Sequence, residues 1–196
     1  MKYKKKPRVA KRDVIELGVI GIVFLIIYLT GSQAEVFGRI QGLMLKTGIM
    51  NASVDLDKSA EANLNFVLKD INGNEINAKS LEGKAVFINV WATWCAPCVA
   101  EMPSINKLYN KVKDEDIHFL MISQDNSLEK AHKWVERKGF DFEVYSAPNL
   151  PKQFRTGYVP STFIINSKSE LVLTKTGLAN YNTRKFEKFL LDLANP

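Results

Sequence analysis

The sequence predicts an α/β domain, a mixed central sheet flanked by helices, behind an N-terminal transmembrane helix. Three observations lead there. Ala85–Trp91 (AVFINVW) and Ile117–Ser123 (IHFLMIS) are almost continuously apolar and rich in β-branched residues, as strands buried on both faces of a sheet are. Segments of helical periodicity alternate with these strands. Leu17 to Ala34 contains no charged residue.

The N-terminal end is read first. Of 27 basic and 21 acidic residues, seven and one lie in residues 1–13, which leaves 20 of each sign in the remainder. The whole formal charge of +6 therefore belongs to a short basic tail. As a helix, Leu17–Ala34 reaches about 27 Å, close to the hydrocarbon thickness of a bilayer. Residues 14–34 are therefore assigned as a single-pass anchor in the cell (inner) membrane. The cations before it hold the tail in the cytoplasm and place everything after it on the extracytoplasmic, periplasmic side. The competing reading is a cleaved signal peptide, since Ser32-Gln33-Ala34 resembles a small-residue cleavage site; the apolar run exceeds the ~7–15 residues of a signal core. Both readings export the remainder.

Residues 35–62 read as an amphipathic helix over Glu35–Met50, with Val36, Ile40, Leu43 and Thr47 at helical spacing, and a polar linker over Asn51–Ala62. The helix either lies on the membrane surface or continues the anchor. Residues 63–196 read as the globular domain. Leu64–Lys69 and Glu75–Ala78 flank an Asp-Ile-Asn-Gly-Asn turn and form a hairpin. After strand Ala85–Trp91 comes a helix from Pro97 to Val112, which Pro103 is expected to kink. Strand Ile117–Ser123 leads to a helix over Ser127–Lys138 that Gly139 ends. A short strand Phe142–Tyr145, a hairpin of Ser161–Ile165 with Leu171–Thr176, and a helix Thr183–Ala194 complete the chain.

Several function classes are excluded at this stage. A neutral domain offers no basic face to nucleic acid. Two cysteines three positions apart do not make a disulfide scaffold. A zinc site needs two more soft ligands, and His118 and His132 are the only histidines, so neither a metal nor a cofactor is expected.

The chemistry lies at Cys95-Ala96-Pro97-Cys98, directly after a buried strand and at the opening of a helix. Two cysteines on a first helical turn can close a small disulfide. At a helix N-terminus, unpaired N–H groups and the macrodipole stabilise a thiolate, which lowers the Cys95 pKa from ~8.5 and makes it a nucleophile. Cys95 is expected to be the exposed thiol that attacks a substrate disulfide. Cys98, one turn inward and shielded, resolves the mixed disulfide. Glu101, three residues beyond Cys98 on the same helix face, is a candidate acceptor for the Cys98 proton.

Trp91-Ala92-Thr93-Trp94-Cys95-Ala96-Pro97-Cys98 with Pro103 resembles the active-site strand, turn and helix of thioredoxin. Cys98-Val99-Ala100-Glu101-Met102-Pro103 is similar, more narrowly, to the membrane-anchored TlpA/ResA group. The resemblance runs from about Leu64 to the C-terminus. It implies the thioredoxin fold, an extracytoplasmic location, and dithiol–disulfide exchange with protein thiol or disulfide substrates and with a membrane or extracytoplasmic electron donor. It implies a reductant, with cytochrome c maturation as one role found in the group. Val159-Pro160-Ser161-Thr162-Phe163 matches the cis-proline segment of the family. The resemblance thus implies that Val159 and Pro160, with Trp94 and Pro97, form the substrate-binding surface, and that a substrate strand pairs with the Val159 backbone.

Two departures stand out. Thioredoxin has a buried aspartate six residues before its first motif cysteine, and this chain has Asn89 there, so any acid–base role moves to another group, Glu101. Ser169 stands where the family often has a glycine. Two rival functions share parts of the pattern. A peroxiredoxin-type peroxidase needs an isolated cysteine in a Pro-Thr-Cys setting, which the sequence lacks. A copper carrier pairs two cysteines with a distant histidine, and none follows His132.

Overall fold

A computed structural model describes residues 11–30, 33–45, 47–48, 50–54 and 60–194. Most of the basic tail, Ser32 of the cleavage-site reading and residues 55–59 of the expected linker lie outside these. The chain forms two compact units, Met1–Gln33 and Ala34–Pro196.

The first unit is helix α1 (Lys11–Leu29), whose large apolar side chains, such as Ile22, Leu25 and Leu29, are exposed. The expected span of 14–34 is interrupted. Thr30 bonds back to the Ile26 carbonyl through both its N–H and its hydroxyl, closing the helix end, and a new helix begins at Gln33. Among the described residues no single helix is long and apolar enough to cross a membrane; Val14–Leu29 and Gln33–Leu45 reach that length and composition only together.

The second unit opens one residue into α2 (Gln33–Leu45), a helix shorter than the expected Glu35–Met50. It continues with β1 (Ala60–Glu61), β2 (Val67–Lys69), β3 (Glu75–Asn77), β4 (Ala85–Trp91), α3 (Ala96–Val112), β5 (Ile117–Ser123), α4 (Leu128–Lys138), β6 (Val144–Tyr145), β7 (Ser161–Ile165), β8 (Glu170–Thr176) and α5 (Arg184–Ala194). The sheet order is β1-β8-β7-β4-β5-β6, with β4, β5 and β6 parallel and the other pairings antiparallel. β2 and β3 form a separate hairpin. This is the mixed sheet with flanking helices of the thioredoxin fold.

The alternation along β4 explains the layering. All seven of its residues are buried. Ala85, Phe87 and Trp91 face a core shared with α3, α4 and α5; Val86, Ile88 and Val90 face a second core with Phe66, Leu68, Phe154 and Phe163. Asn89 has the parity of Phe87 and therefore points toward α3. Phe87 sits among the rings of Phe119, Tyr181 and Phe186, with centroids 4.7, 5.4 and 6.4 Å away. Truncating it to alanine would cost about 3–5 kcal/mol.

The helices close as their sequences suggest. Gly139 at φ +67° takes the left-handed position that ends α4, and its N–H reaches the Glu136 carbonyl. α3 runs on through Pro103. Ser169 also lies in the left-handed region, at φ +60°, and its Oγ accepts the Gly83 N–H at 3.1 Å, an anchor glycine could not supply.

The segment read as a linker is partly built into the domain. Ala52 is buried, its N–H bonds to the Asn180 carbonyl at 3.0 Å, and Ala60–Glu61 adds a strand to the sheet edge along β8. Its polar composition concealed backbone pairing that needs no apolar side chains.

Candidate active site

β4 delivers the chain to the site and α3 receives it. Between them, Ala92–Trp94 must turn sharply, and Asp125 at the end of β5 holds that turn. Its carboxylate is fully buried and accepts the Thr93 N–H at 2.9 Å, the Thr93 hydroxyl at 2.6 Å and the Ser123 hydroxyl at 3.0 Å, with the Lys130 ammonium 3.5 Å away. Cys95 follows as the N-cap of α3, in extended conformation, and its sulfur accepts the Cys98 N–H at 3.2 Å. Pro97 occupies the first turn, where its missing N–H leaves no hydrogen bond unmade.

Cys95 and Cys98 are joined in a disulfide. Cys95 is 5% exposed and Cys98 is fully buried, so the expectation of an exposed Cys95 does not hold in this oxidised form. What sits over Cys95 is the segment before β7. The Val159–Pro160 bond is cis, and the Val159 carbonyl oxygen lies 3.5 Å from the Cys95 sulfur. Trp94, directly before Cys95, and Tyr158, directly before Val159, are 58% and 74% exposed, so two aromatic faces border the place where these segments meet.

One turn along α3 from Cys98 lies a closed polar cluster. Glu101 is fully buried. Its Oε1 accepts from the Asn89 side-chain amide at 2.9 Å and its Oε2 from the Ala179 N–H at 3.3 Å. Asn89 also donates to the Thr162 hydroxyl at 2.9 Å, and the Tyr181 hydroxyl donates to the same oxygen at 2.7 Å. Burial pushes the Glu101 carboxyl up to about 8, against the opposing pull of the Asn89 amide, the Ala179 N–H and the more distant Lys175. Burial and the Glu101 charge also push the Tyr181 phenol well above its ordinary value. In the disulfide form at neutral pH, Glu101 therefore holds a proton within one helical turn of Cys98.

The fold thus brings Cys95, Cys98, Val159 and Pro160 together, sets Trp94 at their edge and Pro97 between the cysteines, and places Glu101 on the inner side. Sequence reading missed Asp125, Thr162, Ala179 and Tyr181. The polar Asp125 after an apolar strand was a weak signal; Ala179 bonds Glu101 directly, and Thr162 and Tyr181 join it through Asn89, from segments some 60–80 positions away with no local pattern. An open groove of about 820 Å³ lies between α2 and α3 and includes neither cysteine.

A disulfide at a helix start, a backbone carbonyl against its outer sulfur and a buried carboxyl one helical turn after its inner one define a thiol–disulfide exchange site on a thioredoxin fold. The comparisons with known proteins agree. The chain belongs to the AhpC/TSA family, whose model matches residues 60–173. It is 33% identical over 128 residues to the thiol-disulfide oxidoreductase ResA of Halalkalibacterium halodurans, covering 64% of this chain and 73% of that one. It is 33% identical over 117 residues to ResA of Bacillus subtilis, covering 58% and 64%, just under two thirds of that protein's length. A crystal structure of a thioredoxin-family thiol:disulfide interchange protein from Chlorobium tepidum superposes with a TM-score of 0.59 at 21% identity, over 71% of this chain and 99% of that one. The enzyme is a thiol–disulfide oxidoreductase.

Proposed function

We propose that this oxidoreductase is anchored in the cell membrane by its N-terminal apolar segment, faces the extracytoplasmic side, and reduces disulfides in protein substrates there. The buried Glu101 on the turn after Cys98 is the observation that carries the reading, because it gives the inner sulfur a proton partner of its own. In the dithiol form, Cys95 at the helix start loses its proton and attacks a substrate disulfide. An enzyme–substrate disulfide forms and the first substrate thiol departs. Cys98 then passes its proton to Glu101 and attacks the Cys95 sulfur. The Cys95–Cys98 disulfide forms, and the second substrate thiol leaves with the electron pair of the broken bond. Burial raises the Glu101 carboxyl to about 8, so its ionised form is a far stronger base toward the Cys98 proton than an ordinary carboxylate.

Regeneration runs backward through the same groups. A dithiol donor, membrane-bound or extracytoplasmic, attacks Cys95, Cys98 leaves as thiolate and Glu101 returns the proton; the donor's second thiol then attacks its own sulfur of the mixed disulfide, closing the donor disulfide and releasing Cys95 as thiolate. The Val159 backbone beside Cys95 offers an extended substrate segment a strand to pair with, and Trp94 and Pro97 border that surface. Cytochrome c maturation, the role implied by the resemblance to the TlpA/ResA group, fits a reductant on that side of the membrane. The balance of charge supports the topology: cations precede the apolar segment and the remainder is neutral.

A cysteine-trapping experiment tests the reading. Cys98→Ser should accumulate mixed disulfides with extracytoplasmic proteins, and Cys95→Ser should trap almost none. Equal trapping by both variants would undo the assignment of the sulfurs. For the topology, the protein should remain with carbonate-washed membranes, and its C-terminal domain should be cleaved by protease added to the outside only. A soluble mature form beginning near Glu35 would support the signal-peptide reading instead. Turnover of peroxide at rates comparable to disulfide exchange would favour the peroxidase reading, although both cysteines of the chain are already in the pair.

A further inference from the structure

Helix α2 carries two stripes. Gly38, Gly42 and Leu45, at i, i+4 and i+7, face the domain, and Gly38 and Leu45 are buried. Phe37, Ile40 and Met44, at i, i+3 and i+7, form the other stripe with Leu43 beside it, and all four are 54–63% exposed, Ile40 and Leu43 also edging the groove along α3.

The inner stripe sits on the active-site helix. A Cβ on Gly38 would lie 2.8 Å from Val99 Cγ1 and 3.0 Å from the Ala96 carbonyl oxygen, so only glycine allows this approach to the residues beside the cysteines. Glu35 fastens the start of α2 to α4. It accepts from Lys138 Nζ at 2.8 Å, Arg137 Nη2 at 3.0 Å and Trp134 Nε1 at 3.3 Å, and the Lys138 ammonium holds its carboxyl below the usual range. The Trp134 ring in turn lies 5.4 Å from that of Trp91, the last residue of the strand that feeds Cys95.

The outer stripe has the composition of a helix lying in a lipid interface. Large apolar side chains occupy one side, Arg39 flanks them, and the helix's one acid, Glu35, is turned inward. Chain continuity selects lipid over a protein partner. From Leu29, the end of α1, to Gln33, the start of α2, is a four-residue step, at most about 14 Å when fully extended. The start of α2 therefore stays wherever the apolar α1 ends, and an anchored α1 ends at the bilayer surface.

We propose that α2 is an interfacial helix. Its Phe37–Ile40–Met44 stripe lies at the headgroup–acyl boundary, while its Gly38 stripe holds the active-site helix, so the Cys95–Cys98 pair works at a fixed height above the bilayer. The partners this arrangement suits are disulfides and dithiols that are themselves held close to the membrane. The inference rests on the anchor reading given above, and its test separates the two.

The full chain is placed in vesicles of phosphatidylethanolamine and phosphatidylglycerol. A photo-crosslinking phenylalanine analogue replaces, one at a time, Phe37, Ile40, Leu25 of α1, and Ile71 of the β2–β3 turn. Lipid adducts are expected at Phe37 and Ile40 with yields comparable to Leu25, and only background at Ile71. Lipid adducts at Leu25 but not at Phe37 and Ile40 would overturn the interfacial helix and leave the anchor standing. Protein–protein adducts at Phe37 and Ile40 in place of lipid would overturn it in favour of a second copy. Absence of lipid adducts at Leu25 as well would remove the anchor on which the inference rests, and the inference with it. Equal lipid yields at Ile71 would overturn the claim that this face is the one turned to the bilayer.

Discussion

The two sulfurs of one disulfide have different surroundings. Around Cys95 are groups that serve an arriving partner: the N-terminal end of α3, the Val159 carbonyl 3.5 Å away, and the exposed rings of Trp94 and Tyr158. One helical turn on from Cys98 is a polar cluster, with Glu101, the Asn89 amide that bonds it, and Thr162 and Tyr181 behind, all sealed from solvent. In the proposed mechanism, three residues of helix separate an electrostatic device from an acid–base one. In that mechanism a single helical turn divides attack from resolution, with its first residue at the helix end and its fourth one turn before a buried carboxyl.

The largest expected effect lies on the inner side and appears in stability. The folded protein keeps the Glu101 proton up to about pH 8, whereas the unfolded chain releases it near 4.5. Glu101 therefore stabilises the fold fully below pH 4.5, and that contribution is lost as pH rises toward 8. Glu101→Gln cannot lose a proton, so its stability relative to the natural protein should grow over that window, by up to about 5 kcal/mol if the whole shift is realised. Thermal unfolding of both oxidised proteins from pH 4 to 9 measures this. A constant difference across the range would mean that Glu101 is not held neutral.

A smaller effect is expected at the turn before Cys95. Asp125→Ala strands the Thr93 N–H and hydroxyl and should cost about 2–4 kcal/mol. Asp125→Asn can still accept the Thr93 N–H and should restore much of the stability. Because Asn carries no charge beside the helix start, it should also shift the pH dependence of Cys95 alkylation to lower pH in the reduced protein. An unchanged alkylation profile would confine Asp125 to holding the turn.

The smallest effect belongs to the outer aromatics. Trp94→Ala should raise KM for a protein disulfide several-fold, equivalent to about 1 kcal/mol, and leave kcat nearly unaltered. A fall in kcat alone would show that the ring acts on the sulfur and not on the partner.

The contrast between the two sides also bears on what was legible in the sequence. β4 and β5 were read correctly because continuous apolar, β-branched runs have few alternatives. The placement of the cysteine pair at a helix start followed from strand, motif and helix in succession. Glu101 was marked by its three-residue spacing from Cys98, a local relation. Its environment was not legible: Thr162, Ala179 and Tyr181 reach it through the sheet register and the loop after β8, relations that span the chain. The same holds at the start of the domain. The packing of α2 depends on Gly38 meeting Val99 some 60 residues later, and β1 escaped notice because two residues have no periodicity to read. The break after Leu29 was hidden for the opposite reason, since composition stays apolar or uncharged through a point where the Thr30 hydroxyl closes the helix.

The central claim, that Glu101 serves Cys98 and not Cys95, is tested most directly by following one turnover in two phases. Reduced protein is mixed with a protein disulfide, and attack and resolution are resolved by rapid acid quench and separation of the mixed disulfide. For Glu101→Gln near neutral pH, the account predicts an attack phase close to the natural rate and a resolution phase slower by about 10²-fold or more, so that the mixed disulfide accumulates. Equal slowing of both phases, or an unchanged resolution phase, would contradict it.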